Sequence, residues 1–169
     1  MRLEDGDIAL RPFVEDDVPA IVAACQDPEI PRWTSVPSPY TDEDGRRFVA
    51  GIGNHRSFAV VDAKTDELLG SVGFDVEEDG RAEFGYWVVR EARGRGVASR
   101  ALLLLAHWAA REHALARLQL IVDPANAASI RVAEKAGFQR EGLLRSYIEL
   151  KGTRRDVYLY SLLPEELSI

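Results

Sequence analysis

Apolar and polar residues alternate from Asp7 to Phe13, with Ile8, Leu10 and Pro12 on one side, which predicts a strand, and Val14 to Gln26 follows as an amphipathic helix. Pro31 to Tyr40 holds three prolines and reads as loop. Thr41 with Asp44 three residues on resembles a capping box, with Asp in place of the usual Glu, and predicts a helix through about Gly53. Ser57 to Ala63 and Leu68 to Val76 read as strands joined by the polar turn Lys64-Thr65-Asp66-Glu67. Asp79-Gly80 is a hairpin signal leading into a strand from Ala82 to Val89. From Gly96 to about His113 the residues Val97, Ala101, Leu104, Leu105 and Trp108 recur at helical spacing, so one face packs on a sheet. Leu118, Leu120 and Val122 alternate with Gln119 and Ile121 as the next strand, and Asn126 opens a short helix that ends at Gly137. Phe138 to Glu149 and Thr153 to Leu163 are two further strands around Lys151-Gly152. The order is mixed α and β with one strand-helix-strand crossover at its centre. No linker, repeat or low-complexity tract interrupts residues 1–169, so one domain is expected.

The turn Arg93-Gly94-Arg95-Gly96-Val97-Ala98 stands where the Ala82 strand stops and a helix starts. Such a turn leaves the first backbone N–H groups of the helix free and aims a partial positive charge outward, which is a seat for an anion, most often phosphate. It is not a P-loop, because no Lys-Ser or Lys-Thr follows the glycines. Nor is it the dinucleotide fingerprint, since Ala98 to Leu105 offers no third glycine and no acidic residue follows at the required distance. Two arginines favour a ligand with several phosphate charges, the alternative being a solvated turn with ordinary surface arginines.

Composition narrows the setting. The net charge of −7 argues against nonspecific nucleic-acid binding and favours cationic partners, protonated amines among them. The single cysteine, Cys25, excludes an internal disulfide framework, suits a reducing, cytoplasmic compartment, and lies in an apolar run as a buried small residue. No apolar stretch is long enough to cross a bilayer and no signal opens the chain. His55, His107 and His113 are scattered, with neither metal-ligand spacing nor a Gly-x-Ser-x-Gly elbow nearby, so no metal and no serine nucleophile are expected.

At these residues the chain resembles a known family. Arg93-x-x-Gly96-x-Ala98 is similar to the acyl-coenzyme-A motif of the GNAT N-acetyltransferases, in which Gln or Arg is followed by two residues, Gly, one residue, and Gly or Ala. Asn126-Ala127-Ala128-Ser129-Ile130-Arg131-Val132 with Glu134-Lys135-Ala136-Gly137-Phe138 resembles the family's second coenzyme segment. Glu141-Gly142, the Ala82 to Trp87 strand and the closing Arg154 to Leu162 strand look like its RimJ/RimL-like branch. The resemblance covers roughly residues 3 to 163. It implies an α/β (α+β mixed) acyl-CoA N-acyltransferase fold, a mixed central sheet of about seven strands with splayed strands 4 and 5, and about four helices.

It implies chemistry as well. The cosubstrate would be acetyl-CoA and the acceptor a primary amine, either a protein N-terminus or a small amine, joined by direct attack in a ternary complex without metal or acyl-enzyme. The pantetheine arm would lie against the backbone of Trp87, Val88 and Val89. The amides of Arg93, Gly94, Arg95, Gly96, Val97 and Ala98 would take the pyrophosphate, Asn126 and Ser129 would meet the coenzyme, and Arg131 and Lys135, one helical turn apart, would either meet its phosphates or form a solvated face. A backbone N–H near Val88 would face the developing oxyanion. Glu83, on the same sheet face as Gly85 and Trp87, is the first candidate base for the protonated amine, with Glu149 in reserve; otherwise Glu83 balances Arg81. For the leaving thiolate, Ala133 stands where many relatives have a tyrosine acid, so Ser129 or Tyr147 is the candidate donor, with solvent as the alternative. Ser129 has a coenzyme contact or a helix first-turn bond as its other reading. Asp75, Trp33 and Tyr40 would line the acceptor side or simply pack. A different acyl group such as succinyl, or a noncatalytic coenzyme-binding module, are the alternatives, and a sheet-edge homodimer is compatible with the pattern.

Overall fold

The computed structural model describes residues 1–51 and 55–167. Strand β1 (Leu3–Asp5) turns at Gly6 into β2 (Ile8–Pro12), and a 3-10 turn at Glu15–Asp17 leads into α1 (Val18–Ala24). The short α2 (Glu29–Trp33) and α3 (Asp42–Ala50) precede the meander of β3 (Arg56–Asp62), β4 (Leu68–Val76) and β5 (Arg81–Val88). Next come α4 (Val97–Glu112), β6 (Arg117–Val122), α5 (Ala127–Lys135) and the closing hairpin of β7 (Gln139–Leu150) and β8 (Thr153–Leu162). Among the described residues the eight strands form one sheet in the order β1-β2-β3-β4-β5-β6-β8-β7. The β5–β6 pair, joined by the α4 crossover, is parallel, and the other neighbours are antiparallel.

Helices cover both faces, because the two apolar stripes of the central strands each need a partner. On one face α4 lays Val97, Ala101, Leu102, Leu105 and Ala109 over Ile8, Leu10, Val72, Phe74, Leu118, Leu120 and Tyr160. On the other, Ile21, Cys25, Ile30 and Tyr40 from the α1–α3 side pack on Ala59, Val61, Leu68 and Trp87. β4 is accordingly buried from Leu68 to Phe74 on both faces, as a central strand between two helical layers must be. Leu102 and Leu105 are fully buried, so truncating either to Ala costs about 2–5 kcal/mol.

Local chemistry sets several element ends as the residues predict. Thr41 Oγ1 accepts from the Asp44 N–H while Asp44 Oδ2 accepts from the Thr41 N–H (2.9 Å), closing the capping box of α3. Lys151 and Gly152 both have positive φ (51° and 80°), the requirement of a two-residue turn between right-twisted strands.

The structure also corrects the expected elements. β1 is an eighth strand, paired across Gly6 with β2. The expected Val14 to Gln26 helix begins only at Val18, because the Val14 N–H donates to Asp17 Oδ2 (2.8 Å) and Arg11 holds that carboxylate at 2.8 Å, fixing a 3-10 turn first. Pro31 lies inside α2 rather than in loop; at the third helical position its missing N–H would have had no intrahelical partner. α3 ends at Ala50, and the expected end near Gly53 lies outside the described residues. No helix among the described residues is long and apolar enough to cross a membrane.

Candidate active site

The pairing of β5 with β6 lasts for three rungs, Arg81 with Arg117, Ala82 with Leu118, and Glu83 with Gln119. Beyond Glu83, β5 stays on β4 as far as Gly70–Val88, while β6 stays on β8 as far as Val122–Tyr158. A wedge therefore opens in the middle of the sheet, bounded by Phe84 to Val88 on one side and Leu120 to Val122 on the other.

Backbone alternation decides which groups face that wedge. The Val89 N–H donates to Leu69 O on β4 (2.8 Å), so Val89 and Trp87 aim their backbone polar groups at β4, whereas Tyr86 and Val88 aim theirs into the opening. Of the three residues expected to present backbone there, Trp87 and Val89 thus do not, and Tyr86 joins Val88. The Trp87 side chain is buried beside Phe48, with ring centroids 6.4 Å apart.

At the end of the wedge the chain turns through Gly94 (φ 76°) and Gly96 (φ 72°), a left-handed corner that favours glycine, and α4 starts. Among the described residues the N–H groups of Gly94, Arg95, Gly96, Val97 and Ala98 donate to no protein acceptor, while the Arg93 N–H is taken by Arg90 O (3.3 Å). Donors, helix dipole and cationic side chains meet here, and Lys135 of α5 joins them: its Nζ lies 3.2 Å from where a Gly96 Cβ would stand. The Arg93 side chain goes elsewhere. Its Nε and Nη2 donate to Val88 O (3.2 and 3.1 Å), and Nη2 sits 2.7 Å from Asp27 Oδ2, so it braces the end of β5 against the α1–α2 connection instead of facing a phosphate. Arg95 and Arg131 remain exposed.

One wall of the wedge is a hydroxyl pair that the sequence pattern did not reveal. Asn126 Oδ1 accepts from the Ser129 N–H (3.2 Å), capping α5 as expected and fixing Ser129 in the first turn. There Ser129 Oγ meets the hydroxyl of Tyr86, which reaches across from β5. Burial pushes the Tyr86 phenol up to about 12 against a smaller opposing pull from Ser129. The signal for Tyr86 was its phase: it shares a sheet face with Ala82 and Phe84, the face that α4 and α5 cover.

On the opposite face, at the point where the strands part, stands Glu83. Its carboxyl is raised above the ordinary glutamate value, first by burial, with Asp75 and Glu77 adding to the rise and a hydrogen bond from Gln119 Nε2 (3.3 Å) working against it. Asp75 is its register partner on β4, and its Oδ2 is hydrogen-bonded to His55 Nδ1 (3.0 Å). Gly73 pairs with Gly85 one step along, leaving a floor without side chains, and the His55 ring lies over it: a Gly73 Cβ would fall 2.9 Å from Nε2. A Cβ at Gly85 would meet nothing within 4 Å, so on that side the Asp75 and Glu83 carboxylates border open space, suited to an ammonium group.

Four other expected residues, Tyr147, Glu149, Trp33 and Tyr40, are not brought together with these. Tyr147 is exposed on β7 and makes no side-chain bond to Glu83, Ser129 or Tyr86 among the described residues. Glu149 pairs with Arg154, an odd number of residues from Ser161, which shares a face with Gln119 and Glu83, so Glu149 stands on the other side of the sheet. Trp33 donates from Nε1 to Glu29 (3.2 Å) under Arg32, and Tyr40 is buried in the second core. His113 packs on Phe74 and Trp108, and burial lowers its pKa.

Comparison with known proteins fits this geometry. The family model described as an acetyltransferase (GNAT) domain matches residues 7–139. The chain is 34% identical over 168 residues to an uncharacterized N-acetyltransferase, p20, of Bacillus licheniformis, covering 94% of each. It is 34% identical over 127 residues to the ribosomal-protein-serine acetyltransferase of Escherichia coli, covering 72% of this chain and 71% of that one. The structure of Mycobacterium smegmatis RimJ in complex with CoA-disulfide superposes with a TM-score of 0.84 at 25% identity, over 99% of this chain and 88% of that one.

Proposed function

The chain belongs to the GNAT acetyltransferase family, and from that premise we propose that it transfers an acetyl group from acetyl-CoA to a primary amine, a protein N-terminus or a small amine, by direct attack with both substrates bound. The observation that carries this reading is the parting of β5 from β6 after Glu83–Gln119, which leaves inward-facing backbone beside a corner of free amides. An extended thioester arm fits between the strands, and a diphosphate fits the amides of Gly94 to Ala98 with Lys135, Arg95 and Arg131 at hand.

The coenzyme supplies an activated acetyl thioester; the chain supplies position and proton handling. The Val88 N–H faces the wedge and would donate to the carbonyl oxygen as negative charge grows there, since its own carbonyl is held by Arg93. Glu83 would take the proton an ammonium must lose before it can attack, directly or through water, and its raised pKa makes it a better base than an exposed glutamate. Ser129, held by its helix cap and by Tyr86, would supply a proton or hydrogen bond to the departing thiolate. Asp75, Glu77 and Glu83 give the acceptor side a negative potential that draws in a cationic amine. The ribosomal-protein acetyltransferase among the relatives and the overall charge of −7 support a cytoplasmic protein or small-amine acceptor rather than nucleic acid.

The test is thiol release from acetyl-CoA against a panel of N-terminal peptides, polyamines and aminoglycosides, with succinyl-CoA in parallel. Release that depends on one acceptor class supports the reading. Transfer of succinyl alone would replace the donor, and no release with any amine would leave a binding module.

A further inference from the structure

We infer that Gln119 is a positioning residue for Glu83: its side-chain amide, turned the right way by Arg117, holds the Glu83 carboxylate ionised at the mouth of the wedge. The inference rests on the reading of Glu83 as the base.

Gln119 is buried, 9% exposed, and sits opposite Glu83 on the last rung before the strands part. Paired residues on neighbouring strands share a face, so the two side chains meet. An amide can present either its oxygen or its NH2 group, and here the choice is forced. Arg117, two residues earlier on the same face, donates from Nε to Gln119 Oε1 (3.1 Å) and has nothing to accept with. Turning the amide over would set donor against donor at Arg117 and oxygen against carboxylate at Glu83. Arg117 is itself anchored by Glu141 of the β7 bulge. The chain Glu141–Arg117–Gln119–Glu83 thus crosses from β7 to β5 along the face where the acceptor is proposed to bind.

The surroundings of Glu83 otherwise favour its neutral form. From β4 it faces Asp75, which is paired with His55, and Glu77 follows that strand. On β5 itself Arg81 is committed to Asp79 (2.7 Å), and on β6 the charge of Arg117 is answered by Glu141. Among the described residues Gln119 supplies the one hydrogen bond to the Glu83 carboxylate. Hydrogen bonding to the charged form lowers a carboxyl pKa, and burial and like charge raise it. A protonated glutamate cannot receive a proton, so the amide decides down to what pH the base is available.

Carbon-13 NMR titration of the Glu83 carboxyl in the full-length protein, assigned by the signal lost in Glu83→Gln, reads this without an acceptor. Gln119→Met keeps the apolar bulk and removes the bond; its titration midpoint is expected to rise by about one pH unit, the worth of a hydrogen bond to a charged group. Arg117→Met leaves the amide free to turn and should raise the midpoint by less, and the double variant should stay close to Gln119→Met alone. Should Gln119→Met fail to fold, Arg117→Met at the strand end carries the test. An unchanged midpoint in the folded variant, or a double variant that shifts by the full sum, overturns the inference. Wild-type thiol release by Glu83→Gln would instead remove the base reading and leave the measured shift standing, so the two failures are distinguishable.

Discussion

Arg93→Met separates two roles for the first residue of the anion corner. In the sequence it reads as a phosphate ligand; in the structure its guanidinium bonds Val88 O twice and pairs with Asp27 at 2.7 Å. Asp27 is only 11% exposed at its side chain, so losing its partner leaves a nearly buried carboxylate with weaker compensation. The bonds of the charged guanidinium to Val88 O contribute about 1.5–3 kcal/mol, and the 37% exposure of Arg93 screens part of that, so about 2 kcal/mol is expected. For a chain of this length that lowers the melting temperature by roughly 4–8 °C. Thermal or urea unfolding of Arg93→Met, Asp27→Asn and the double variant would show a coupling of about 1 kcal/mol between the two positions. Acetyl-CoA affinity, measured on the same proteins well below their melting points, should fall only a few-fold, through loosening of the Val88 end of β5. A variant that melts like the wild type and loses coenzyme affinity tenfold or more would refute this reasoning and return Arg93 to the phosphates.

Other predictions address the chemistry and the core. Glu83→Gln should reduce turnover by about 10²- to 10⁴-fold with acetyl-CoA affinity unchanged. Because the working form is the carboxylate and its pKa is raised, wild-type turnover should fall as pH drops through a value above the ordinary glutamate range; an acid limb at or below that range would contradict the assignment. Gly96→Ala places a side chain at a φ of 72°, which costs about 1–2 kcal/mol, and crowds Lys135; both stability and coenzyme affinity should drop, as unfolding and titration calorimetry would show. Burial pushes the Cys25 thiol up to about 12, so a thiol reagent should label it slowly in the native protein and rapidly in urea. Fast native labelling would mean the α1–α3 layer opens readily.

What the residues disclosed about the fold follows the range of the forces involved. The α3 capping box, the α5 cap at Asn126, the Lys151-Gly152 turn and the glycines of the corner are local, and their chemistry is written within a few positions. The apolar phase of α4 and of the central strands was legible for the same reason. β1 was not, since three residues with one apolar member carry no alternation, and only pairing with β2 makes them a strand. Pro31 misled because proline's helix penalty vanishes in the first turn. At the site, the corner and Glu83 could be placed by motif and phase, yet the partners of each side chain depend on strand order. Arg93 meets Asp27 from the other layer, Tyr86 meets Ser129 of α5 at one wall of the wedge, and Gln119 meets Glu83 through a parallel pairing that no stretch of sequence displays. The β7 bulges also change phase between Arg140 and Ile148, so the face of Glu149 could not be counted from its spacing along that strand.

The account depends most on the wedge between β5 and β6 being a seat for acetyl-CoA. Isothermal titration of the purified chain with acetyl-CoA tests it directly: saturable binding of one equivalent, weakened by Gly96→Ala and little changed by Glu83→Gln, is the predicted result. No heat of binding at near-millimolar ligand, or binding that Gly96→Ala leaves untouched, would contradict it.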